Sequence, residues 1–105
     1  MTDVKDIEIY KGDTVEFTVT LEGKRVAEMS GYTAVLKVSS GFTNAFLTVT
    51  GDTWYDVGAS DCLTVFYVPY FNHPPKTYTY QVEIVKPNYR QVILQEDWKV
   101  KESIP

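Results

Sequence analysis

The sequence predicts an all-β domain, a sandwich of two antiparallel sheets, and three observations support this. Apolar and polar side chains alternate over several short runs, as they do in strands with one buried face. Turn residues separate these runs at intervals of about 10 to 12 residues. No stretch of ten residues shows the apolar spacing of an amphipathic helix. The 105 residues are expected to form one domain, residues 1–105, around a single core.

The first two runs predict an edge strand followed by a half-buried strand. Ile7 and Ile9 flank Glu8 in a short run, residues 6–10, which stops at a Lys-Gly-Asp turn and offers an edge for strand addition by a neighbour. Residues 14–21 then alternate strictly, with Thr and Glu on one face and four apolar side chains on the other. The apolar set is Val15, Phe17, Val19 and Leu21.

The middle of the chain predicts a third strand and then a hairpin. A short linker, residues 26–30, precedes Gly31, which opens a strand with four side chains on one face. These four are Tyr32, Ala34, Leu36 and Val38. Two brief runs follow, residues 46–50 and 54–57, and the Gly51-Asp52 pair between them suits a hairpin turn.

Residues 62–68 differ from the other runs because both of their faces are apolar. Leu63, Val65 and Tyr67 alternate with Cys62, Phe66 and Val68. Such a strand is either buried on both sides or covered by another surface on one side. The sequence leaves these two alternatives open.

The longest alternation, residues 76–86, predicts a central strand. Prolines bound it on both sides, at Pro74-Pro75 and at Pro87-Asn88, where they do not interrupt the ladder. Its core-facing set is Tyr78, Tyr80, Val82 and Ile84, and its water-facing set is Thr79, Gln81 and Glu83.

The last run, residues 90–101, predicts the final strand. Its apolar face is Val92, Leu94, Trp98 and Val100. Seven or eight such strands with turn chemistry between them are typical of an immunoglobulin-like antiparallel β-sandwich. The Pro-Pro-Lys-Thr-Tyr segment also resembles the tyrosine corner of such folds, with Tyr78 the first choice for that role and Tyr80 the second.

Composition and charge exclude several classes of function. A net charge of -4 with scattered Lys and Arg gives no basic patch, so nucleic acid is not an expected partner. The start of the chain lacks a signal-peptide pattern, and no apolar run approaches the ~18 residues of a membrane helix. Synthesis in a cytoplasm without export, and no membrane partner, are therefore expected. Cys62 is the only cysteine, so no disulfide can form within the chain.

Candidate catalytic and metal-binding residues are few. His73 is the only histidine and is expected to be a solvated loop residue, while Cys62 is expected to be a small core residue. One Cys and one His cannot seed a zinc site. Asp52, Asp56 and Asp61 lie in neighbouring turns, but they lack the spacing of a calcium loop and are expected to cap their own backbone. We expect no cofactor and no enzymatic activity.

Aromatic residues are the one excess, with two Trp, eight Tyr and five Phe. Core positions are expected for Phe17, Tyr32, Tyr80 and Trp98. The loop with Tyr70, Phe71 and His73 is the leading candidate interface, because no core is evident for its rings. Trp54 and Tyr55 are further interface candidates. A stacking platform for sugar rings is the alternative for Trp54-Tyr55, or for Tyr67, Tyr70 and Phe71.

Four segments together carry a resemblance to a known family. They are residues 7–14 (IEIYKGDT), 29–33 (MSGYT), 78–84 (YTYQVEI) and 98–100 (WKV). This pattern resembles the immunoglobulin-like domain at the N-terminus of siphophage upper baseplate proteins and of related tail and fibre proteins. The resemblance implies a non-enzymatic module that docks on other virion proteins or on itself, often in threefold or sixfold assemblies, and it carries over no catalytic residues.

The expected function is therefore that of a structural or adaptor domain in a phage virion, within the baseplate, tail or fibre. Its expected partners are other virion proteins and further copies of the chain, as a homo-oligomer. The alternative is a carbohydrate-binding module that stacks host glycans on Trp54, Tyr55, Tyr70 and Phe71. Saturable quenching of tryptophan fluorescence by a sugar would favour this alternative.

Overall fold

The computed structural model describes residues 7–41, 44–51 and 53–102, and it confirms the predicted all-β sandwich. Eight strands form within these ranges, and a single turn of 3-10 helix, Val26–Met29, lies in the linker expected after the second of them. The strands are β1 (Ile7–Tyr10), β2 (Val15–Leu21), β3 (Thr33–Ser39), β4 (Leu47–Gly51), β5 (Tyr55–Val57), β6 (Asp61–Val68), β7 (Thr77–Lys86) and β8 (Tyr89–Lys101).

Two sheets form the sandwich. The first has five strands in the order β1-β8-β7-β3-β4, and the second has three in the order β2-β6-β5. Neighbouring strands are antiparallel with one exception, because β1 runs parallel to β8 and sets Ile7 opposite Trp98. β1 is an edge strand, as predicted, although residue 6 lies outside the described residues.

The core lies between the sheets and is rich in aromatic side chains. Trp98, Tyr80 and Phe66 have no solvent exposure. The ring of Phe17 on β2 meets the ring of Tyr80 on β7 edge-on, with 5.3 Å between centroids, so it joins the two sheets. Tyr80 and Trp98 are core residues, as predicted, whereas Phe17 and Tyr32 are half-buried at its margin.

The predicted hairpin between residues 46–50 and 54–57 is wrong. β4 pairs with β3 in the five-stranded sheet, and β5 pairs with β6 in the other, so the chain changes sheets between them. Gly51 permits this close passage. A Cβ atom there would lie 2.9 Å from Thr64 Oγ1 and 3.0 Å from Phe66 Cε1, both on β6. Asp52, the other proposed turn residue, lies outside the described residues.

Two exposure predictions in the last strands are also wrong: a β-bulge exposes Val92, and Glu83, although on the predicted outer face, is buried. Val82 pairs with Leu94 but Glu83 pairs with Val92, so β8 has an extra residue, Ile93, at this point. The shift moves Val92 out of the core to 39% exposure. Glu83 is 3% exposed although it was assigned to water, because Lys37 and Arg90 bind its carboxylate.

The predicted tyrosine corner is confirmed at Tyr78. Its hydroxyl donates a hydrogen bond of 2.6 Å to the backbone carbonyl of Pro74, and burial raises the pKa of the phenol. The other end of the strand closes in a two-residue turn, since Lys86 pairs with Tyr89. Asn88 holds a φ of 62° there, which suits the second central residue of a type II turn after proline.

Candidate interaction surface

Phe71 was proposed as an interface residue, and the structure places it in the core. It is 2% exposed, and its ring centroid lies 5.4 Å from that of Trp98 and 5.8 Å from that of Tyr78. Two backbone hydrogen bonds fasten the loop to the turn after β1. Gly12 N–H donates to the Phe71 carbonyl at 2.7 Å, and Phe71 N–H donates to the Asp13 carbonyl at 2.9 Å. The loop therefore turns this ring inward.

The other two residues of the proposed loop interface behave differently from each other. Tyr70 is 66% exposed and has a φ of 46°, with its ring beside Gly12. His73 was expected to be solvated, but it is half-buried, with its ring 4.4 Å from that of Phe46 and 4.9 Å from that of Phe71. Only Tyr70 presents a largely exposed ring in this loop.

Trp54 and Tyr55 point in different directions because they are neighbours in an extended segment. Trp54 is half-buried, and its indole N–H donates a 3.2 Å hydrogen bond to the Tyr32 carbonyl. Tyr55 is 54% exposed and pairs with Leu63 near one end of β6. Tyr70 follows the opposite end of β6, beyond Val68, which is about 16 Å further along the strand. The proposed aromatics therefore do not form one sugar-stacking platform.

The doubly apolar strand β6 buries one face and exposes the other. Cys62, Phe66 and Val68 are buried, whereas Val65 is 37% exposed and Tyr67 is 57% exposed. Within the described residues no other segment covers this side. Together with the neighbouring β5 residues it forms a continuous surface, which we call the outer apolar face. Its residues are Tyr55, Val57, Leu63, Val65 and Tyr67.

Sequence reasoning found this face only in part. Tyr55 and Tyr67 were candidates as separate aromatic residues, but Val57 and Val65 were not. The available signal was the apolar character of both sides of residues 62–68. This pattern does not show which side stays exposed. That depends on β6 being the middle strand of a sheet whose outer side has no covering layer among the described residues.

The margin of the outer apolar face along β2 is polar. Glu16, Thr18 and Thr20 of β2 pair with Tyr67, Val65 and Leu63, respectively. At the β5 edge, on the opposite face of the strand from Tyr55, Arg25 and Asp56 form a bidentate ion pair, with Nε–Oδ1 and Nη2–Oδ2 distances of 3.0 and 2.9 Å. Hydrogen bonds from Arg25, and then from the Val26 N–H, lower the pKa of Asp56.

The thiol lies in the core, as expected, but the two described turn aspartates bind a distant segment and were wrongly expected to cap their own backbone. Asp61 accepts a hydrogen bond from Gly23 N–H at 2.9 Å, and Asp56 is bound as described above. Cys62 is fully buried, and this burial raises the pKa of its thiol. No cluster of three or more His, Cys, Asp or Glu that could hold a metal ion occurs in the described residues, and Asp52 is outside them.

A polar groove of about 440 Å³ lies on the opposite side of the molecule, on the five-stranded sheet. Tyr80 borders it but is fully buried, so it offers no open ring for stacking. Strand pairing sets four of the lining residues in one row across the sheet. They are Thr48, Lys37, Gln81 and Gln95.

An ion cluster lies beside this row, where Glu83 stands two residues beyond Gln81 on β7. Lys37 Nζ lies 2.9 Å from Glu83 Oε1, and Arg90 Nε lies 2.5 Å from Glu83 Oε2. Burial by itself would raise the pKa of Glu83, but the hydrogen bonds and charges of Lys37 and Arg90 outweigh it and lower that pKa. Glu83 is therefore an ionised, nearly buried residue that fixes two long cations on this sheet.

Comparison with protein-family models, curated proteins and solved structures finds no match to this chain. In the described part of the chain, no helix is long and apolar enough to cross a membrane.

Proposed function

We propose that this protein is a non-enzymatic structural or adaptor module of a phage virion, in the baseplate, tail or fibre, and that it docks on other virion proteins through the outer apolar face. The observation that carries this proposal is the exposure of Tyr55 and Tyr67, each more than half exposed on the same side of one sheet. Contiguous apolar surfaces of this kind are typical of protein-protein contact sites.

The sheet beneath this face supports a docking role because it is already rigid. Val65 and Tyr67 alternate with Phe66 and Val68, which are locked in the core. Tyrosine also has few rotatable bonds for its contact area, so it loses little conformational entropy on binding. A surface held in this way binds at a lower entropic cost than a loop would.

The virion assignment rests on the resemblance to the immunoglobulin-like domains of siphophage baseplate, tail and fibre proteins. Such assemblies have threefold or sixfold symmetry, which multiplies modest contacts into stable attachment. A rigid sandwich with one apolar face meets the requirements of that role.

Site-specific photo-crosslinking in assembled particles would test the proposal. A photo-crosslinking amino acid replaces Tyr67 in one variant and, as a matched control, Tyr89 in another, since Tyr89 is 40% exposed at the hairpin of the five-stranded sheet. We expect crosslinks to other virion proteins from position 67 and none from position 89. The proposal fails if the chain is absent from purified particles or if both positions crosslink equally.

Binding of host glycans is a second candidate, and the polar groove is the observation that favours it. Hydroxyl and amide groups in a row are suitable partners for sugar hydroxyls, although this site differs from the aromatic platform expected from the sequence. A glycan array with the wild type, Gln81→Ala and Tyr55→Ala would test it. Saturable binding lost in Gln81→Ala and retained in Tyr55→Ala would support the groove, and no binding to any glycan would contradict it.

A further inference from the structure

Strand β2 has an open hydrogen-bonding edge. It pairs with β6 on one side, and none of the residues in 7–41, 44–51 and 53–102 pairs with its other side. The two sheets have four edge strands in this part of the chain: β1 with four residues, β2 with seven, β4 with five and β5 with three. β2 therefore presents the longest edge.

The edges differ in how they resist pairing with another chain. β1 and β5 are short and carry Glu8 and Asp56, which are common protective features. β2 is long, contains no Pro or Lys, and has Glu16 as its one charged residue. Such an edge is a template for a further strand.

We infer that β2 pairs with β2 of a second copy of this chain, antiparallel about a twofold axis at Thr18. In this register Glu16 faces Thr20 of the other copy, and Phe17 faces Val19. The two Thr18 residues face each other on the outer side. Apolar residues thus meet apolar residues, and no two charges of the same sign are opposed.

Twofold pairing of this kind is unfavourable at the opposite edge of this sheet, which is β5. A twofold axis in β5 passes through Asp56 and sets two carboxylates opposite each other. Pairing along β4 opposes no charges, but it offers five residues in place of seven. β4 therefore serves as the matched control for β2.

Pairing along β2 has two favourable structural consequences. It covers the open flank of Phe17, which is half-buried at the edge of the core. It also joins two three-stranded sheets into one sheet of six strands, with both outer apolar faces on the same side. The dimer does not depend on the virion assignment, but it would give the proposed docking surface two equivalent halves.

Two lysine variants with opposite expected effects test this inference by sedimentation equilibrium of the full chain. Thr18→Lys opposes two ammonium groups at the axis and should weaken the dimer at least about fivefold, whereas Thr20→Lys faces Glu16 in both copies and should strengthen it about fivefold. Thr48→Lys, on the β4 edge, should change nothing. All three positions lie on the solvent side of their strands, and circular dichroism confirms that each variant is folded.

Disulfide capture checks the register. Under oxidising conditions Thr18→Cys should form a covalent dimer, because paired residues at the axis lie within disulfide reach. Thr20→Cys by itself should not, but a mixture of Glu16→Cys and Thr20→Cys should form a mixed dimer. The native Cys62 is buried and does not compete.

Four results would overturn the inference. In the first, the wild type stays monomeric at every concentration. In the second, Thr48→Lys dissociates the dimer and Thr18→Lys does not, and in the third, Thr18→Lys and Thr20→Lys weaken the dimer equally. In the fourth, a dimer forms only after residues 1–6 are deleted. The last result would mean that residues 1–6 of the same chain occupy the β2 edge.

Discussion

Tyr78 ties the beginning of β7 to the loop before it through one hydrogen bond, from its hydroxyl to the Pro74 carbonyl at 2.6 Å. Its ring also packs against those of Phe46 and Phe71. The tyrosine is 4% exposed, so water cannot readily replace the bond. This one side chain therefore helps to hold the loop that fixes Phe71 in the core.

Replacing Tyr78 with Phe removes the hydroxyl and keeps the ring. We expect a loss of about 1 kcal/mol in the free energy of unfolding, measured in urea, because the Pro74 carbonyl loses its donor. Tyr55→Phe removes a hydroxyl at an exposed position and should change stability by less than about 0.5 kcal/mol. Equal effects of the two changes would contradict the role assigned to Tyr78.

The carboxylate of Glu83 makes the free energy of unfolding depend on pH. Its pKa is lower in the folded chain than the ~4.3 of an ordinary Glu, so its stabilising contribution is fully present above that value. The contribution is lost as the pH falls through the depressed folded pKa. Lys37 and Arg90 are the cause, since both bind the carboxylate.

Glu83→Gln should therefore be less stable than the wild type at neutral pH, by roughly 1 to 2 kcal/mol, and this difference should shrink as the pH falls through the depressed pKa of Glu83. Urea unfolding of both proteins over this range measures it. Glu16→Gln, on the exposed side of β2, is the control and should follow the wild-type curve. A constant difference across the range would show that the ion cluster is not the source.

Gly51, the last residue of β4, allows the chain to cross close to β6 on its way to β5. Its Cα lies so close to β6 that an added Cβ would meet Thr64 Oγ1 at 2.9 Å and Phe66 Cε1 at 3.0 Å. Phe66 is fully buried and Thr64 is 1% exposed, so neither can move freely. The crossing from β4 to β5 therefore needs a residue without a side chain here.

We expect Gly51→Ala to lower the free energy of unfolding by about 1 to 3 kcal/mol through overpacking. Gly23→Ala is a useful comparison, since a Cβ at Gly23 meets nothing within 4 Å although its φ of 79° adds strain. Gly51 has no positive φ, so if the packed site relaxes easily, Gly51→Ala will cost less than Gly23→Ala, whose cost is backbone strain alone. Thermal and urea unfolding would distinguish these results.

At the scale of the whole molecule, the two sheets share one aromatic core. Phe17 and Phe66 of the three-stranded sheet pack with Tyr80 of the five-stranded one, with 6.3 Å between the Phe17 and Phe66 centroids and 5.3 Å between those of Phe17 and Tyr80. Neither sheet can keep this core without the other. The domain should therefore unfold in a single cooperative step.

The two tryptophans allow this to be measured, because Trp54 lies at the junction of the sheets and Trp98 lies in β8. Fluorescence of the Trp54→Phe variant, which reports Trp98, should give the same urea midpoint as its far-ultraviolet circular dichroism. Separate midpoints would show that the sheets unfold independently. The same comparison on the wild type serves as the reference.

The sequence predicted correctly wherever local chemistry decided the outcome. Strict alternation in residues 14–21 sorts β2 into an inner and an outer face, and the Pro-Asn turn ends β7 at Lys86. Tyr78 was identified because the Pro-Pro-Lys-Thr-Tyr entry into β7 resembles a tyrosine corner, and its hydroxyl does bond to the Pro74 carbonyl. Each of these features depends only on residues within a few positions of one another, so the local sequence is sufficient to predict it.

The errors occurred where distant segments decided the outcome. Phe71 has a core position because the turn after β1 captures its backbone, and Val92 is exposed because of a bulge opposite β7. The outer apolar face exists because β6 is the centre of a sheet whose outer side no other described segment covers. Alternation by itself thus determined that this protein is a β-sandwich. Only the tertiary structure decided which apolar side chains stay exposed, since burial depends on which strands and loops meet, and those contacts join residues far apart in the chain.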